Sequence, residues 1–244
     1  MANMIKKSTM QDIGHLCAHY ERSVAPGHYS NENIDQTRIH EDHINLGPDR
    51  HATYAKDTDY IKHMIKEVMG DRTLRKDAVR MVTWVVDVPD SIPIEERPTF
   101  FREAYNFLVD RYGRKSGMGE DIVISCYIHK SETREHMHFA FLPIIRKNGQ
   151  RSFCAKEVVD REDLRSFHND LADYMESKNI CRKSDIVNGN TIKDSTGRAL
   201  SVRELKNRTR KMEHEHEQRE RASINKWDDI QINNNERGLN RWQA

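Results

Sequence analysis

The sequence lacks the features that would assign it to several large classes of protein. No run approaches the roughly 18 to 20 consecutive apolar residues of a membrane-spanning helix, and the mean hydropathy is −0.89, so we exclude an integral membrane protein. The amino terminus carries no apolar signal segment, which predicts a cytoplasmic location. Because 40 basic and 39 acidic residues leave a net charge of +1, the chain is not a polycation that coats nucleic acid without specificity.

Cysteine is scarce, and no two cysteines are spaced as CxxC. The four residues Cys17, Cys126, Cys154 and Cys181 stand apart beside apolar neighbours. We therefore expect buried, reduced thiols rather than a disulfide scaffold or a zinc ribbon. The HExxH motif of zinc proteases is absent as well. Histidine, in contrast, occurs 13 times, and several of these histidines stand close together.

Apolar periodicity predicts an α+β protein with an antiparallel sheet. Residues 23–55 follow no clear period, so we expect a long irregular segment there. Strands joined by hairpins beside a small number of helices favour an antiparallel arrangement. The predicted helices begin near Thr9, Lys56, Glu95 and Asp160, and the predicted strands cover 81–88, 121–129, 136–145 and, after an Asn-Gly turn, 152–155.

The sharpest local pattern is a group of histidines on two predicted strands. His136 and His138 are two residues apart, so both imidazoles point to one face of the sheet, and His129 closes the preceding strand. A polar hairpin brings His129 back beside them. Three imidazoles predict a metal site with open positions for water or substrate oxygens, with Glu132 placed to orient a ligand or to be a weak further one. The alternative is an ordinary pair of strand histidines, one buried and one exposed.

The charge balance changes towards the end of the chain. Residues 178–211 contain ten basic and three acidic residues, a local charge of +7 that the total conceals. If these cations cluster on one side, they form a DNA-binding surface; a solvated helix face is the alternative. We predict a domain over 1–200 and, over 201–244, a charged helical extension that ends in a loose tail.

Further motifs accompany the histidine group in a fixed order. They are HYER at 19–22, SNENIDQTR at 30–38, NL at 45–46 and RKDAV at 75–79. Together with H-x-x-E-x-x-x-H-M-H at 129–138, they resemble the motifs of the Pre/Mob (MobV-type) plasmid mobilisation relaxases, a family of HUH endonucleases. Family members carry HNER, SNxDIDxxR, an HLNYNL-like run, RKDAV and H-x-D-E-x-x-P-H-M-H. The resemblance covers about residues 4–178.

The resemblance implies an HUH-type antiparallel sheet of about five strands, flanked by helices. It implies a relaxase that nicks one strand of single-stranded or supercoiled origin DNA and stays covalently attached to the 5′ end. A divalent ion, Mn²⁺ or Mg²⁺, would be held by His129, His136 and His138. The alternatives are a rolling-circle replication initiator or transposase of the same superfamily, and a catalytically silent DNA-binding module of this fold. No membrane is involved; a homodimer and contacts with transfer-machinery proteins are compatible with the resemblance.

The same resemblance assigns roles to single residues. His19, from the first motif, would be the nucleophile. Arg22 and Arg75 would stabilise negative charge on the phosphate oxygens, and Glu132 would orient a metal ligand or take part in proton transfer. The residues expected to hold the DNA are Asn31, Arg38 and Lys76.

The chain departs from the family motifs at several positions. Tyr20 replaces the Asn that follows the first-motif histidine, and because most other HUH enzymes use a tyrosine nucleophile, Tyr20 is an alternative to His19. Ser131 stands where the family has Asp, and Glu135 where it has Pro. The family's Asn-Tyr pair reads Asp-His at 42–43, which removes another candidate tyrosine.

Overall fold

A five-stranded antiparallel sheet organises the fold. The computed structural model describes residues 2–23, 34–186 and 211. Two further strands pair with each other as a separate hairpin. In spatial order the sheet contains β1 (Ala2–Lys7), β3 (Met81–Asp87), β5 (His136–Phe141), β4 (Val123–His129) and β2 (Ile44–Asn45), and the hairpin contains β6 (Ile144–Lys147) and β7 (Gln150–Phe153).

Helices cover both faces of this sheet. On one face, the ring of Tyr20 at the end of α1 stacks on His138 with 4.2 Å between ring centroids, and α2 follows beside it. On the other face, Phe167 of α5 stacks on Trp84 of β3 at 3.6 Å. The α-helices of the described residues are α1 (Met10–Tyr20), α2 (Asp57–Met69), α3 (Arg97–Ser116), the single turn α4 (Ala155–Val158) and α5 (Arg161–Ser177).

Strand register places the histidines on one face. His138 on β5 lies opposite Val85 of β3 and Tyr127 of β4. His136 lies opposite His129, so the three histidines meet at one end of two adjacent strands. Successive side chains on a strand alternate between faces, which sends the intervening residues of β5 into the apolar layer under α3 and α5.

Local sequence signals set the ends of the helices. Thr9 accepts a hydrogen bond from the backbone N–H of Asp12 at 3.2 Å, and Asp160 accepts one from that of Asp163 at 2.7 Å. Such caps satisfy donors that the first helical turn leaves without partners. Gly70 ends α2 with φ +56°, a conformation that glycine adopts without strain. These boundaries confirm the predictions made for α1, α2 and α5.

The sheet contains two strands that were not predicted. The strand β1 reads ANMIKK, a polar mixture without a clear period, and it pairs with β3 at an edge of the sheet. The two-residue strand β2 lies inside the segment expected to be irregular. The predicted strand 136–145 is in fact two strands, because Pro143 between them has no N–H for a ladder hydrogen bond. The expected number of strands is nevertheless confirmed.

Other expectations are corrected or lie outside the described residues. All four cysteines are free, but Cys154 and Cys181 are only partly buried. The proposed boundary at residue 200, the extension 201–244 and most of the basic segment 178–211 fall outside the described residues, apart from 178–186 and 211. Among the described helices, none is long and apolar enough to cross a membrane.

Candidate active site

The three histidines of the two central strands converge on one point. His138 lies between the other two, with its Nε2 atom 3.0 Å from Nε2 of His136 and 3.1 Å from Nδ1 of His129. All three side chains are buried. Burial, followed by the neighbouring imidazoles, holds the pKa of His138 well below its ordinary value, so this ring is neutral and able to bind a cation through a lone pair.

Backbone carbonyls fix which nitrogens carry lone pairs. Nε2 of His129 lies 3.1 Å from the carbonyl oxygen of Tyr20, and Nδ1 of His136 lies 2.8 Å from that of Arg134. Because a carbonyl only accepts, these nitrogens carry the protons, and the opposite nitrogens present lone pairs to His138. A carbonyl that fixes the tautomer of a histidine in this way is typical of metal-binding histidines.

The arrangement fits a bound cation better than a hydrogen-bonded cluster. Nε2 of His138 faces two lone pairs and can donate a proton to one of them at most. Its other nitrogen, Nδ1, is buried without a hydrogen-bond partner among the described residues. The short separations between these nitrogen atoms are compatible with donors that bind one ion. The residues present therefore fit a divalent metal ion.

Glu132 adds a carboxylate to this cluster. Its Oε1 atom lies 3.5 Å from Nδ1 of His129 and 4.0 Å from Nε2 of His136, and it accepts a hydrogen bond from Nη2 of Arg22 at 2.8 Å. Burial raises the pKa of Glu132, but the proximity of His129 and the hydrogen bond from Arg22 outweigh burial and hold the pKa well below its usual range. The group is a carboxylate that faces the histidines.

His19 stands at the accessible side of the histidine cluster. Its ring lies edge-on to those of His129 and His138, with centroids 5.1 and 5.3 Å apart, and its side chain is 30% exposed. Nδ1 accepts a hydrogen bond from Arg22 at 3.2 Å, while Nε2 lies 3.7 Å from Oε1 of Glu132. Burial and then the proximity of His129 lower the pKa of His19 to about 4, so this imidazole is neutral near pH 7.

Tyr20, the alternative nucleophile, points the other way. The residue is 1% exposed, and its hydroxyl donates a hydrogen bond to Oγ1 of Thr83 at 3.2 Å inside the protein. Burial raises the pKa of this phenol well above its ordinary value, which opposes formation of a phenolate nucleophile. Its ring packs on His138, and its carbonyl orients His129.

Arg22, which was expected to contact phosphate oxygens, turns its side chain into the protein. α1 ends at Tyr20, and Arg22 adopts a left-handed backbone conformation with φ +51°. Its side chain is 0% exposed. The guanidinium donates to Asp42 through Nε at 2.8 Å and to Glu132 through Nη2 at 2.8 Å. Arg22 therefore holds parts of the site in place, and its contact with phosphate oxygens stays a prediction.

Arg75 and Lys76 are not brought to the histidine cluster. Both are exposed, and Arg75 pairs with Asp77 at 2.8 Å. They precede β3, whose first residue Met81 is separated from Val85, the neighbour of His138, by about 13 Å of strand. The structure thus places Arg75 and Lys76 towards the opposite end of the sheet, and their roles towards DNA stay predictions.

The remaining expected DNA contacts lie in the segment that precedes β2. The backbone N–H of Asp35 donates to the carbonyl of Ser131 at 2.7 Å, which attaches this segment to the turn that carries Glu132. Arg38 is 42% exposed and pairs with Glu41 at 2.9 Å. Asn31 lies outside the described residues. A role for either residue in DNA binding stays a prediction.

Sequence reasoning missed the importance of Asp42. Its carboxylate is 0% exposed and accepts hydrogen bonds from Arg22, from the backbone N–H groups of Lys130 and Ser131, and from the Ser131 hydroxyl. The signal that could have found it was present, because positions 42 and 131 are both departures from the family motifs.

A second group of polar residues anchors the end of α1. Asp57 accepts a hydrogen bond from the hydroxyl of Ser125 at 2.6 Å and lies 3.2 Å from Nε2 of His51. The backbone N–H of Asp57 donates to Glu21 at 3.0 Å. These contacts join the end of α1, the start of α2 and β4, and so fix the helix end from which His19 projects.

Comparison with known families decides the relationship of this chain. A profile of the Mob_Pre family, described as plasmid recombination enzyme, matches residues 1–184. The chain belongs to this family. Among Mob_Pre proteins, the plasmid recombination enzyme of Streptococcus agalactiae is 29% identical over 180 residues, which are 72% of this chain and 33% of that protein. The enzyme of Lactiplantibacillus plantarum is 26% identical over 182 residues, 73% of this chain and 45% of that protein.

The chain thus spans less than half the length of these relatives. Solved Mob_Pre structures share its fold. The MobM relaxase domain, crystallised with Mn and 22 nucleotides of plasmid pMV158 oriT DNA, gives a TM-score of 0.65 at 26% identity, covering 85% of this chain and 98% of that one. A second MobM structure, whose DNA carries a 3′-thiophosphate, gives 0.65 at 25% identity, covering 85% and 97%. The predicted family and fold are confirmed.

Proposed function

We propose that this chain is a metal-dependent relaxase that nicks one strand of plasmid or mobile-element origin DNA. One observation carries the proposal: three imidazole lone pairs converge beside His19, a neutral histidine that solvent reaches. Membership of the Mob_Pre family supports it, as does the MobM relaxase domain, which was solved with oriT DNA and Mn.

A divalent ion would be held by His129, His136 and His138, with Glu132 beside it. When bound, such an ion polarises an oxygen of the scissile phosphate and stabilises the charge that develops there. Between the two ions predicted, Mn²⁺ suits this donor set better than Mg²⁺, because Mg²⁺ prefers oxygen ligands and keeps several of its waters.

His19 is proposed as the nucleophile. The lone pair of its neutral imidazole lies on Nδ1, because Arg22 donates to that nitrogen. Once this hydrogen bond breaks, Nδ1 attacks phosphorus, so that an N–P bond forms and the bond from phosphorus to the 3′ oxygen breaks. The 3′ oxygen leaves with the electron pair of the broken bond and takes a proton from water, and the 5′ phosphate stays on the protein. Oε1 of Glu132 lies 3.7 Å from Nε2 of His19, where its negative charge stabilises the positive charge that the ring acquires.

A denaturing gel tests this proposal. Incubation of the protein with Mn²⁺ and a 3′-labelled origin oligonucleotide should give a labelled covalent adduct that His19→Ala abolishes and Tyr20→Phe retains. An adduct that persists in His19→Ala and disappears in Tyr20→Phe would assign the chemistry to the tyrosine. Binding of the same DNA without any adduct, on single-stranded or supercoiled substrate, would instead indicate a silent DNA-binding module.

We further propose that the chain acts in the cytoplasm, where plasmid DNA is located. Arg38 is a proposed DNA contact beside the site, while Asn31 and Lys76 are proposed contacts on the basis of the motifs alone. A homodimer and an association with transfer-machinery proteins stay predictions. Cross-linking of the protein at micromolar concentration, with and without origin DNA, tests the first of these.

A further inference from the structure

Asp42 occupies the centre of the buried polar network beside the histidines. Its Oδ1 atom accepts from the backbone N–H groups of Lys130 at 2.6 Å and Ser131 at 2.9 Å. Its Oδ2 atom accepts from Nε of Arg22 at 2.8 Å and from the hydroxyl of Ser131. Burial raises the pKa of Asp42, but these hydrogen bonds outweigh burial and lower it. Each oxygen therefore receives two donors, an arrangement that only an ionised carboxylate satisfies.

These contacts connect Asp42 to the reacting groups by two routes. Through Arg22, the carboxylate holds the guanidinium that contacts both Glu132 and Nδ1 of His19. Through the two backbone N–H groups, it holds the start of the turn that follows His129 and carries Glu132. Arg22 and Asp42 are both 0% exposed at their side chains, and removing one partner of such a pair leaves an uncompensated buried charge.

Two residues of this network, Asp42 and Ser131, differ from the family motifs. The motifs have Asn in the place of Asp42 and Asp in the place of Ser131. In this chain the two side chains touch each other, and both lie beside Arg22, since Oγ of Ser131 is 3.4 Å from its Nη2. One carboxylate next to Arg22 is thus kept, but it comes from the segment before β2 and not from the turn after β4.

We propose that Asp42 is a positioning residue of this site, and that its carboxylate replaces the one that the motifs place at position 131. It sets the orientation of Arg22, and through Arg22 that of His19 and Glu132. This inference rests on the proposed function for its effect on the nicking rate. The contact between positions 42 and 131 can also be tested without activity.

Four variants test the exchange. In Asp42→Asn, one carboxylate oxygen becomes an NH₂ group, so that either Arg22 or the backbone N–H groups face a donor. Ser131→Asp in the presence of Asp42 places two carboxylates side by side. In the double variant, the amide oxygen at 42 accepts the backbone donors, and its NH₂ group faces the new carboxylate at 131. Ser131→Ala is the matched control, because it removes the hydroxyl and keeps the charge.

The decisive measurement is single-turnover adduct formation, which separates rate from folded fraction. We expect the rate constant to fall about 30-fold in each charge-changing single variant, equivalent to about 2 kcal/mol at 1.36 kcal/mol per tenfold, with the final adduct yield unchanged. The double variant should recover to within about fivefold of the wild type, and Ser131→Ala should stay within about threefold. A loss of final yield at an unchanged rate constant would show a folding role only and would overturn the proposal.

A double variant as slow as the slower single variant would also overturn the exchange between the two positions. Urea unfolding of the metal-free proteins supplies the second readout. The unfolding midpoint of the double variant should exceed those of both Asp42→Asn and Ser131→Asp, because contacting residues are energetically coupled. Additive midpoints would overturn the proposed contact even if all variants were active. If the wild type forms no adduct, the proposed function fails. The unfolding midpoints of the variants still decide whether a carboxylate at position 42 can be replaced by one at position 131.

Discussion

The two faces of the five-stranded sheet are built on the same strands from different chemistry. On β5, Phe139 and Phe141 pack against the aromatic rings of α3, with centroid separations of 5.9 Å to Tyr105 and 4.7 Å to Tyr112. One residue away, His138 faces α1 and belongs to a network of imidazoles and charged groups. Burial is nearly complete on both faces, so the exposure of a residue does not distinguish them.

What differs is the kind of interaction that holds each face. Apolar burial has no preferred direction and tolerates a change of partner, so the aromatic face supplies stability. The polar face depends on hydrogen bonds with defined geometry between residues distant in the chain, such as His129 and Tyr20, which are 109 positions apart. The comparison therefore separates the residues that stabilise the fold from those that shape the site.

The largest expected effects come from adjacent residues of β5 that face opposite ways. His138→Ala should lower the rate of adduct formation by about 1,000-fold, equivalent to about 4 kcal/mol of lost metal assistance, and should destabilise the metal-free protein clearly less than Phe139→Ala. Phe139→Ala should lower the free energy of unfolding by about 3–5 kcal/mol. Urea unfolding and single-turnover nicking check the pair. Equal loss of stability in both variants would contradict the separation of the two faces.

Removal of the metal should affect only the polar face. Chelation with EDTA should abolish adduct formation and leave the circular dichroism spectrum unchanged, and added Mn²⁺ should restore the reaction. A Mn²⁺ concentration 100 times its Kd should stabilise the wild type by about 2.7 kcal/mol. His138→Ala serves as the control, since it should show little of this thermal shift. Unfolding on chelation would mean that the metal is part of the core.

A smaller effect is expected at Tyr20, which touches the site through its ring and the core through its hydroxyl. Tyr20→Phe removes the hydrogen bond to Thr83 and should lower the free energy of unfolding by about 1 kcal/mol. The ring that stacks on His138 is kept, so the nicking rate should stay within about threefold of the wild type. Thermal unfolding and the gel assay measure both quantities. A complete loss of adduct at full stability would assign the nucleophile to the tyrosine.

The smallest effect is expected at the end of the sheet opposite the histidines. Arg75→Ala removes an exposed ion pair with Asp77 and should change the free energy of unfolding by less than about 1 kcal/mol. The rate constant of the bound complex should be unchanged, because the side chain lies far from the scissile phosphate in the proposed site. Lys76→Ala is the control for a general loss of positive charge. A strong drop in the rate constant of Arg75→Ala alone would show that this segment moves to the site.

Prediction from sequence succeeded where a local pattern sets the structure. Helix caps, such as those at Thr9 and Asp160, depend on residues within a few positions of one another, and so does the apolar periodicity of the helices. The pair His136 and His138 shares a face because a strand has a period of two, and His129 returns beside them through a hairpin. These statements need no knowledge of the rest of the chain.

Sequence patterns predicted less where the partner of a residue is distant in the chain. The strand β1 has little apolar pattern of its own and is ordered by pairing with β3, about 80 residues away. Arg22 follows His19 by three residues, a spacing that would place both on one side of a longer helix, but α1 ends at Tyr20 and the Arg22 side chain turns inward to Asp42. Arg75 belongs to an unaltered motif, and only the register of β3 shows that it precedes the far end of the strand.

The sequence by itself determined the family, the antiparallel α+β fold and the three histidines that converge, because these follow from ordered motifs and from the periods of helices and strands. Only the tertiary structure decided which side chain beside the cluster is accessible, that Tyr20 points into the core, and that Asp42, in contact with Ser131, forms an ion pair with Arg22. The physical reason is that burial and hydrogen-bond direction depend on contacts between segments that lie about 20 to 110 residues apart.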